Sequence, residues 1–593
     1  MHGNYWQGIL NQRLTRRRAL TATGGTALGA AFLAACGDDD GGGGPTGPVD
    51  PSGLLSPITD ETSQGVRGGI FPYNHSNNVV TLDPHATFNA AAFGLIAPAY
   101  STMVKYGRDT TTFPGPDKIT GDAMESWENS PDGLRVTYKL RPNHKFDARP
   151  PTNGRAMTVD DVKWSWERVK AVSPVTADIL REKSPTGTIE NFEFPDKNTV
   201  VVKLAEPYGG LQETLAYWYL FIGPIEGENQ IDLKNEMRGS GPFRLERYQP
   251  SVDMDYARNP EWYEQGKPFL DGFKTLFISE AAAQEAQFQA GNLWTTGADF
   301  LPETILRLKK DYPAVEMRAQ SVYGAPGQYP LLFGKRFASE PRMRRAASML
   351  IDRQAMIEAA YGTTVYEQAG LDVKTYWDGH LANRSGEWID PSSSELGEGA
   401  KYFKQDVAEA KKLLDAAGYK NEKLHLDFRA NFGPNGVLDI VHGMLQSGGL
   451  NVDQRANEAN AWRDLKASAG AGFDDFLWST ANSYNAEGFL ATKYTPGGKD
   501  KVMTNAIPGI TDSILRMRRE LDDKKRLDMI KQIQKDLAVE MPDMPMVSTL
   551  PVAGYQLTQP WLRNYRWIVP GFNQWASTAR PMTVFWYDKS KQT

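Results

Sequence analysis

At 593 residues the chain is long enough for several cores, and its 40% apolar content can fill them. Its 66 Lys and Arg stand against 72 Asp and Glu, and the resulting net charge of −6 offers no broad cationic surface for nucleic acid or acidic lipid. The one cysteine, Cys36, has no partner for an internal disulfide, so cross-links do not organise the fold.

The N-terminal stretch holds Arg13, Arg16, Arg17 and Arg18 and no acid, and a run rich in Ala, Gly, Thr and Leu follows from Ala19 to Ala35. That order is the layout of a cleaved export segment. Leu20, Leu28, Phe32 and Leu33 are too few large apolar residues for a membrane span of about 20. In "TRRRAL", Arg16 and Arg17 resemble the pair of a twin-arginine export signal, with Ala19 where an aromatic residue is usual. "LAAC", Leu33 to Cys36, resembles a bacterial lipobox, which makes residues 1–35 a removed signal and Cys36 the lipidated first residue. The competing reading, a buried core cysteine, fits poorly between small residues and a Gly/Asp tract. Residues 36–66 then read as the lipidated cysteine and a flexible tether rich in Gly, Pro, Asp and Ser, with a root-mean-square reach of about 30 Å. A body held this way is extracytoplasmic, anchored to the outer face of the cytoplasmic membrane or in the periplasm.

Beyond the tether, strand and helix signals alternate irregularly, which argues for a mixed α/β protein. "GLRVTYKLRP" puts Leu134, Val136, Tyr138 and Leu140 on one face of a strand, and "NTVVVKL" is a more completely apolar one. In "MTVDDVKWSWERVKAV", Thr158 and Asp161 form a capping-box pattern, and Val159, Val162, Trp166 and Val169 share a helical stripe. "PRMRRAASMLIDRQAMIEAAYG" reads as a helix ending at Gly362. "DVAEAKKLLDAAGY" reads as one capped by Asp406 and stopped by Gly418. "KKRLDMIKQIQKDLAVEMPDMP" is a last helix, ended by its prolines.

Several stretches stand in the order seen in the bacterial extracellular solute-binding proteins of family 5, the peptide/nickel-type receptors of ATP-driven importers. "GGIFPYNHSNNVVTLDPHAT" resembles the family's first strand and "LDP" turn, Leu82 to Pro84. "MTVDDVKWSWERVK" is similar to its "TAEDVxxSxER" signature through Thr158, Asp160, Asp161, Val162, Ser165, Glu167 and Arg168. "GSGPFRLERYQP", "RNPEWYEQGKPFLDG" and "RMRRAASMLIDR" resemble further family stretches. The resemblance implies an α/β, bilobed periplasmic-binding-protein type II-like fold with an extra subdomain and a hinge. Residues 67–84, 231–315 and 546–593 would form one lobe, 85–230 its accessory subdomain, and 316–545 the opposing lobe. It also implies closure around a small solute, most simply an oligopeptide, and delivery to an ABC permease by a monomer with no cofactor.

"FDDFLWSTANSYNAEGFL", Phe473 to Leu490, resembles the segment that lines the family's cleft, where an aspartate pairs with the ammonium of a bound peptide. Matching its ends places Asn482 at that aspartate and makes Trp478, Ser479 and Tyr484 candidate contacts. Asn482 has an amide and no charge, so Glu487 or another acid would have to compensate an ammonium. The clusters "AYWYLF" and "KTYWDGH" add Tyr217, Trp218 and Trp377, whose flat faces would also suit an oligosaccharide. A secreted hydrolase on the same scaffold is the competing class. The sequence contains no GxSxG, HExxH or GxxxxGK[ST], and its seven histidines are scattered, which leaves no metal or catalytic constellation to propose. Asn482→Asp is expected to strengthen cationic ligands and weaken neutral ones in calorimetric titration, and equal affinities would place this segment elsewhere.

Overall fold

The computed structural model describes residues 52–57, 59–75, 79, 81–86, 90–106, 119–174, 176–217, 220–297, 300–319, 327–373, 375–383, 386–430, 436–482, 485–496, 498, 500–502, 507, 509–548, 554–565 and 581–592. Arg16, Arg17, Cys36, Trp218 and Tyr484 lie outside them.

The first half of the chain builds two four-stranded sheets. Its strands are β1 (Ile70–Asn74), β2 (Met124–Asn129), β3 (Arg135–Leu140), β4 (Ile189–Asp196), β5 (Thr199–Leu204), β6 (Phe243–Gln249), β7 (Asp253–Arg258) and β8 (Gly272–Leu276). One sheet has the order β1-β8-β7-β6, with β1 parallel to β8 and the other pairs antiparallel, so residues about 200 apart lie side by side. The other is the antiparallel sheet β2-β3-β5-β4. On β3 the alternation was legible in advance: Val136, Tyr138 and Leu140 are buried while Arg135 and Lys139 are exposed. On β5, Thr199 to Val202 are all buried, as its continuous apolar run implied.

Helix α1 (Val159–Val172) carries the signature segment and is held from both sides. Asp161 accepts the Thr158 N–H at 2.8 Å, which closes the capping box, and Trp166 stacks on Phe192 at 4.1 Å. Arg168 donates to both carboxylate oxygens of Asp83, at 2.7 and 2.6 Å, and so ties the helix to the "LDP" turn. His85 in that turn is buried on the Phe221 carbonyl at 2.8 Å. The "GSGP" turn packs on Pro98 and Ala99: a Cβ at Gly239 would sit 1.9 Å from the Ala99 carbonyl oxygen, so only glycine allows that approach.

Downstream come helix α2 (Pro302–Asp311), β9 (Glu316–Ala319), β10 (Gly327–Phe333), α3 (Pro341–Met349), α4 (Arg353–Tyr361), α5 (Thr363–Gln368) and α6 (Val407–Ala416). They are followed by β11 (Leu424–Arg429), β12 (Val452–Asn457), β13 (Phe476–Trp478), β14 (Ala481–Asn482), α7 (Ala486–Tyr494), α8 (Ile510–Arg519), α9 (Asp523–Glu540), β15 (Asp543–Ser548) and β16 (Tyr555–Thr558). A mixed sheet of order β12-β11-β13-β10-β14, with β15 also on β10, forms the centre of this second half. Strand β9 pairs instead with β16, in a sheet separate from the one that holds β10 and β15.

Two expectations change. Residues Pro341 to Tyr361, read as one helix, form α3 and α4, because the Asp352 side chain accepts the Ala355 N–H at 2.9 Å and starts a new helix. The Arg353 guanidinium turns inward beside that break to the Ser348 and Phe403 carbonyls. The described end of the supposed tether is also seated. Ser56 donates its N–H to Met317 O at 2.7 Å, Leu54 and Leu55 pack beside β9, and Glu61 pairs with Arg563. Two leucines and a paired acid give that end something to bind with, which Gly and Pro alone do not.

Arg168→Ala is expected to destabilise the fold by about 1–3 kcal/mol, because it strands a largely buried carboxylate. Urea unfolding would measure it, with Arg168→Lys recovering only part because it lacks the two-pronged geometry. A midpoint equal to that of the unaltered protein would show that the Asp83 contact is not structural.

Candidate functional site

The segment matched to the cleft folds as a short ledge against β10. Strand β13 lies antiparallel to Leu331–Phe333, and β14 continues along the same strand with Ala481 opposite Gln328 and Asn482 opposite Gly327. Ser479 donates its N–H to Pro330 O at 3.1 Å between them. The Asn485 side chain then caps α7 by accepting the Gly488 N–H at 2.7 Å. Of the predicted residues, Trp478, Ser479 and Asn482 therefore share one ledge. The Trp478 side chain is fully buried and stacks on half-buried Tyr329, with ring centroids 5.9 Å apart and planes 5° from parallel. Trp377 is half-buried against the same core, while Tyr217 is buried in the core shared by the first two sheets.

Beneath the ledge lies a polar cluster that sequence reasoning missed. Lys493 Nζ is 2.9 Å from Asp543 Oδ2, both side chains fully buried, and donates to Gln328 Oε1 at 2.6 Å. Asp543 Oδ1 also accepts the Tyr494 hydroxyl at 2.9 Å and faces His380 Nδ1 at 3.0 Å. Burial acts to raise the Asp543 carboxyl, yet Lys493 and His380 outweigh it and hold it below the usual range. Burial lowers Lys493 and keeps the His380 ring toward its neutral form despite Asp543. Gln328 completes the tie, its Nε2 donating to Gly379 O at 2.8 Å.

Next to Gly379 stands Asp378, 4% exposed. Burial pushes its carboxyl up to about 7, opposed by the Asn383 backbone N–H and by Lys493. Half-buried Tyr361 has its hydroxyl pushed up, first by burial and then by the charges of Asp378 and Tyr329. No local pattern marks this group: Asp378, Lys493 and Asp543 come from three distant stretches. Glu487, the alternative counter-charge, is buried on Arg526 at 2.7 Å and so already neutralised. Among the described residues, no group of three or more His, Cys, Asp or Glu is arranged to hold a metal ion.

The end of the ledge is covered by the loop after β5. Asn485 Nδ2 donates weakly to the Tyr208 hydroxyl and to Gly210 O, each at 3.4 Å. Gly209 donates its N–H to Arg518 O at 3.0 Å, and the Arg518 guanidinium lies over the Tyr208 ring and donates to Thr186 O at 2.8 Å. Arg519 donates to Glu206 at 2.7 Å. A Cβ at Gly209 would meet Glu520 O at 2.7 Å, and one at Gly210 would meet Asn485 Nδ2 at 2.5 Å. The contact therefore joins the antiparallel sheet of the first half to α7 and α8 of the second, with no room for a side chain.

Two sheet systems therefore touch beside the ledge. Residues 118–501 match the family described as bacterial extracellular solute-binding proteins, family 5, middle region. The chain belongs to that family. Among family 5 relatives, di/tripeptide-binding protein 2 of Pseudomonas aeruginosa is 23% identical over 518 residues, 81% of this chain and 90% of its own. The probable D,D-dipeptide-binding periplasmic protein of Escherichia coli is 27% identical over 47% of this chain and 52% of its own. The DppA periplasmic binding protein of Helicobacter pylori, solved with the peptide STSA, superposes with a TM-score of 0.69 at 17% identity, over 89% of this chain and 99% of its own. The fold is thus the bilobed type II periplasmic-binding-protein fold of family 5, a family of solute-binding proteins.

Arg518→Ala is expected to loosen the contact across the cleft, since it removes the bond to Thr186 O and the stacking on Tyr208. Small-angle scattering of the ligand-free protein should then give a larger radius of gyration, and Gly209→Leu should act in the same direction. Unchanged scattering from both would mean the contact does not hold the lobes together.

Proposed function

We propose that this chain is the substrate-binding component of an ATP-driven importer, which captures short peptides by lobe closure and hands them intact to a membrane permease. The observation that carries the reading is the near end-to-end likeness to di/tripeptide-binding proteins, which spans both sheet systems and not one module. Closure selects the loaded receptor: a ligand that contacts both lobes favours the closed state by its difference in affinity, and the permease reads that state.

The remaining parts of the reading rest on sequence. Arg16 and Arg17 would direct folded export, and lipidated Cys36 would hold a monomer at the outer face of the membrane. The lobes would divide as residues 67–84, 231–315 and 546–593 with accessory subdomain 85–230, against 316–545. The pairing of β9 with β16 supports moving that boundary from residue 315 to Ala319, so that Glu316–Ala319 join the first lobe. The seated residues 52–66 would shorten the free tether to about 15 residues after Cys36, a reach of roughly 20 Å. The receptor would then sit close to its membrane.

A thermal-shift screen of the mature chain against di- to pentapeptides and oligosaccharides tests the reading. A bound peptide should stabilise by about 2.7 kcal/mol at a hundredfold excess over Kd, and emerge unaltered by mass spectrometry. Stabilisation by oligosaccharides alone, or cleaved peptide, would overturn it.

A further inference from the structure

Helix α5 and the loop after it form a spur that leaves one core for another. Helix α4 packs through Met356 into the core of the second half's mixed sheet, and Trp377 lies half-buried against that same core. Between them, Tyr366 and Leu371 are buried instead with Ile305 and Leu308 of α2, Met317 of β9 and Leu557 of β16. The chain turns across at Gly362, whose φ of +60° favours glycine. The Tyr366 ring stands edge-on to that of Tyr555 with centroids 4.9 Å apart, and the Tyr555 hydroxyl donates to Asp372 O at 2.7 Å. The spur therefore joins the side of β9 and β16 to the side of the mixed sheet.

Residues Ser52–Ser56 lie across that joint. Ser56 donates its N–H to Met317 O at 2.7 Å and accepts the Met317 N–H on its Oγ at 3.2 Å, so it serves both backbone groups of that β9 residue. Leu54 and Leu55 pack, half-buried, on the core that holds the spur. Ser52 reaches the spur itself: a Cβ at Gly370 would lie 3.6 Å from the Ser52 Cβ. Further along, Glu61 pairs with Arg563, which also pairs with Glu316, and the Glu61 N–H donates to Asn564 Oδ1 at 3.2 Å. The segment is thus rooted on the β9 side and touches the spur with its free end. A contact made on both sides of a joint favours the arrangement in which it is made, by whatever is lost when the sides move apart. Here that arrangement is also the one in which Gly209 donates to Arg518 O.

We propose that Ser52–Ser56 are a clasp across the joint between the lobes, which favours the arrangement in which the Tyr208 loop touches α7 and α8 and thereby raises ligand affinity. The inference rests on the reading of a receptor that closes on its ligand and goes beyond it. Closure is then biased from the N-terminal end of the body, by the segment nearest Cys36, as well as by ligand. A ligand that needs the closed arrangement binds more weakly in proportion to the fraction of molecules that are open, so a lost clasp shows as lost affinity without any change at the ligand itself.

The test compares the mature chain with the double variant Leu54→Ser/Leu55→Ser, which keeps the Ser56 backbone and removes the apolar part of the clasp. In the ligand-free protein, amide exchange across residues 316–319 and 363–373 should quicken by about fivefold or more, and small-angle scattering should give a larger radius of gyration. Tri-alanine, titrated by calorimetry, should bind about 3- to 10-fold more weakly. Arg168→Ala, which acts at the Asp83 turn, is the control for mere loss of stability and should change none of the three readings. Should the double variant fail to fold, Leu55→Ala alone should move them the same way, by about twofold in affinity. A well-folded variant with unchanged exchange, radius or affinity, tighter binding of tri-alanine, or equal changes in Arg168→Ala would each overturn the clasp and leave the peptide reading standing. If the unaltered protein binds neither tri-alanine nor any peptide in the wider screen, the peptide reading fails, and ligand-free exchange and scattering still decide the clasp.

Discussion

A lysine and an aspartate buried 2.9 Å apart, Lys493 and Asp543, hold together the centre of the second half of this chain. Each would be strongly destabilising alone, since an unpaired charge away from water costs several kcal/mol. Together they pin helix α7 to strand β15, and through Gln328 they pin the loop at Gly379 to strand β10. Strand β14 takes its register from β10, so the backbone position of Asn482 rests on that ion pair through Gln328. The chain uses polar atoms here because apolar packing would leave a slide of the ledge cheap. Directed bonds make it costly.

The same logic appears in the first half. The signature helix is conspicuous in sequence, and in the structure its polar residues are fasteners: Asp161 for the helix start, Ser165 for the Gly223 backbone, and Arg168 for the turn at Asp83. None faces the ledge. In the second half Arg344 and Arg353 do similar work, with guanidinium groups buried on carbonyl oxygens at helix ends. A family signature built from such residues identifies a scaffold and says little of what the scaffold holds.

The contact between the loop at Tyr208 and helices α7 and α8 bears on mechanism. It is polar, glycine-lined and modest in strength, made of weak hydrogen bonds, one stacked arginine and a partly exposed ion pair. A contact of this kind can close a cleft without locking it. Release to a permease requires that. An extensive apolar seam there would hold cargo too long.

How much was legible depended on range. Residues Arg135–Leu140, Val159–Val172 and Val407–Ala416 could be read directly because period, caps and stop residues act within a few positions. Their burial patterns and caps follow those signals. The family was legible for a related reason, since its fasteners sit in short, ordered stretches. The break at Asp352 was missed because a continuous apolar stripe outweighs one cap in sequence, whereas in space the buried Arg353 beside it decides. Tertiary structure alone brought Asp378, Lys493 and Asp543 together, from a loop, a helix and a strand, and left Asp378 Oδ2 buried with no hydrogen-bond partner among the described residues. Periodicity is a local property of a chain, but charge balance in a buried cluster belongs to whichever distant residues the fold places within a few ångströms. The sequence by itself therefore determined scaffold and family, and only the folded chain decided which of its acids would be buried beside Lys493 and which of those would pair with it.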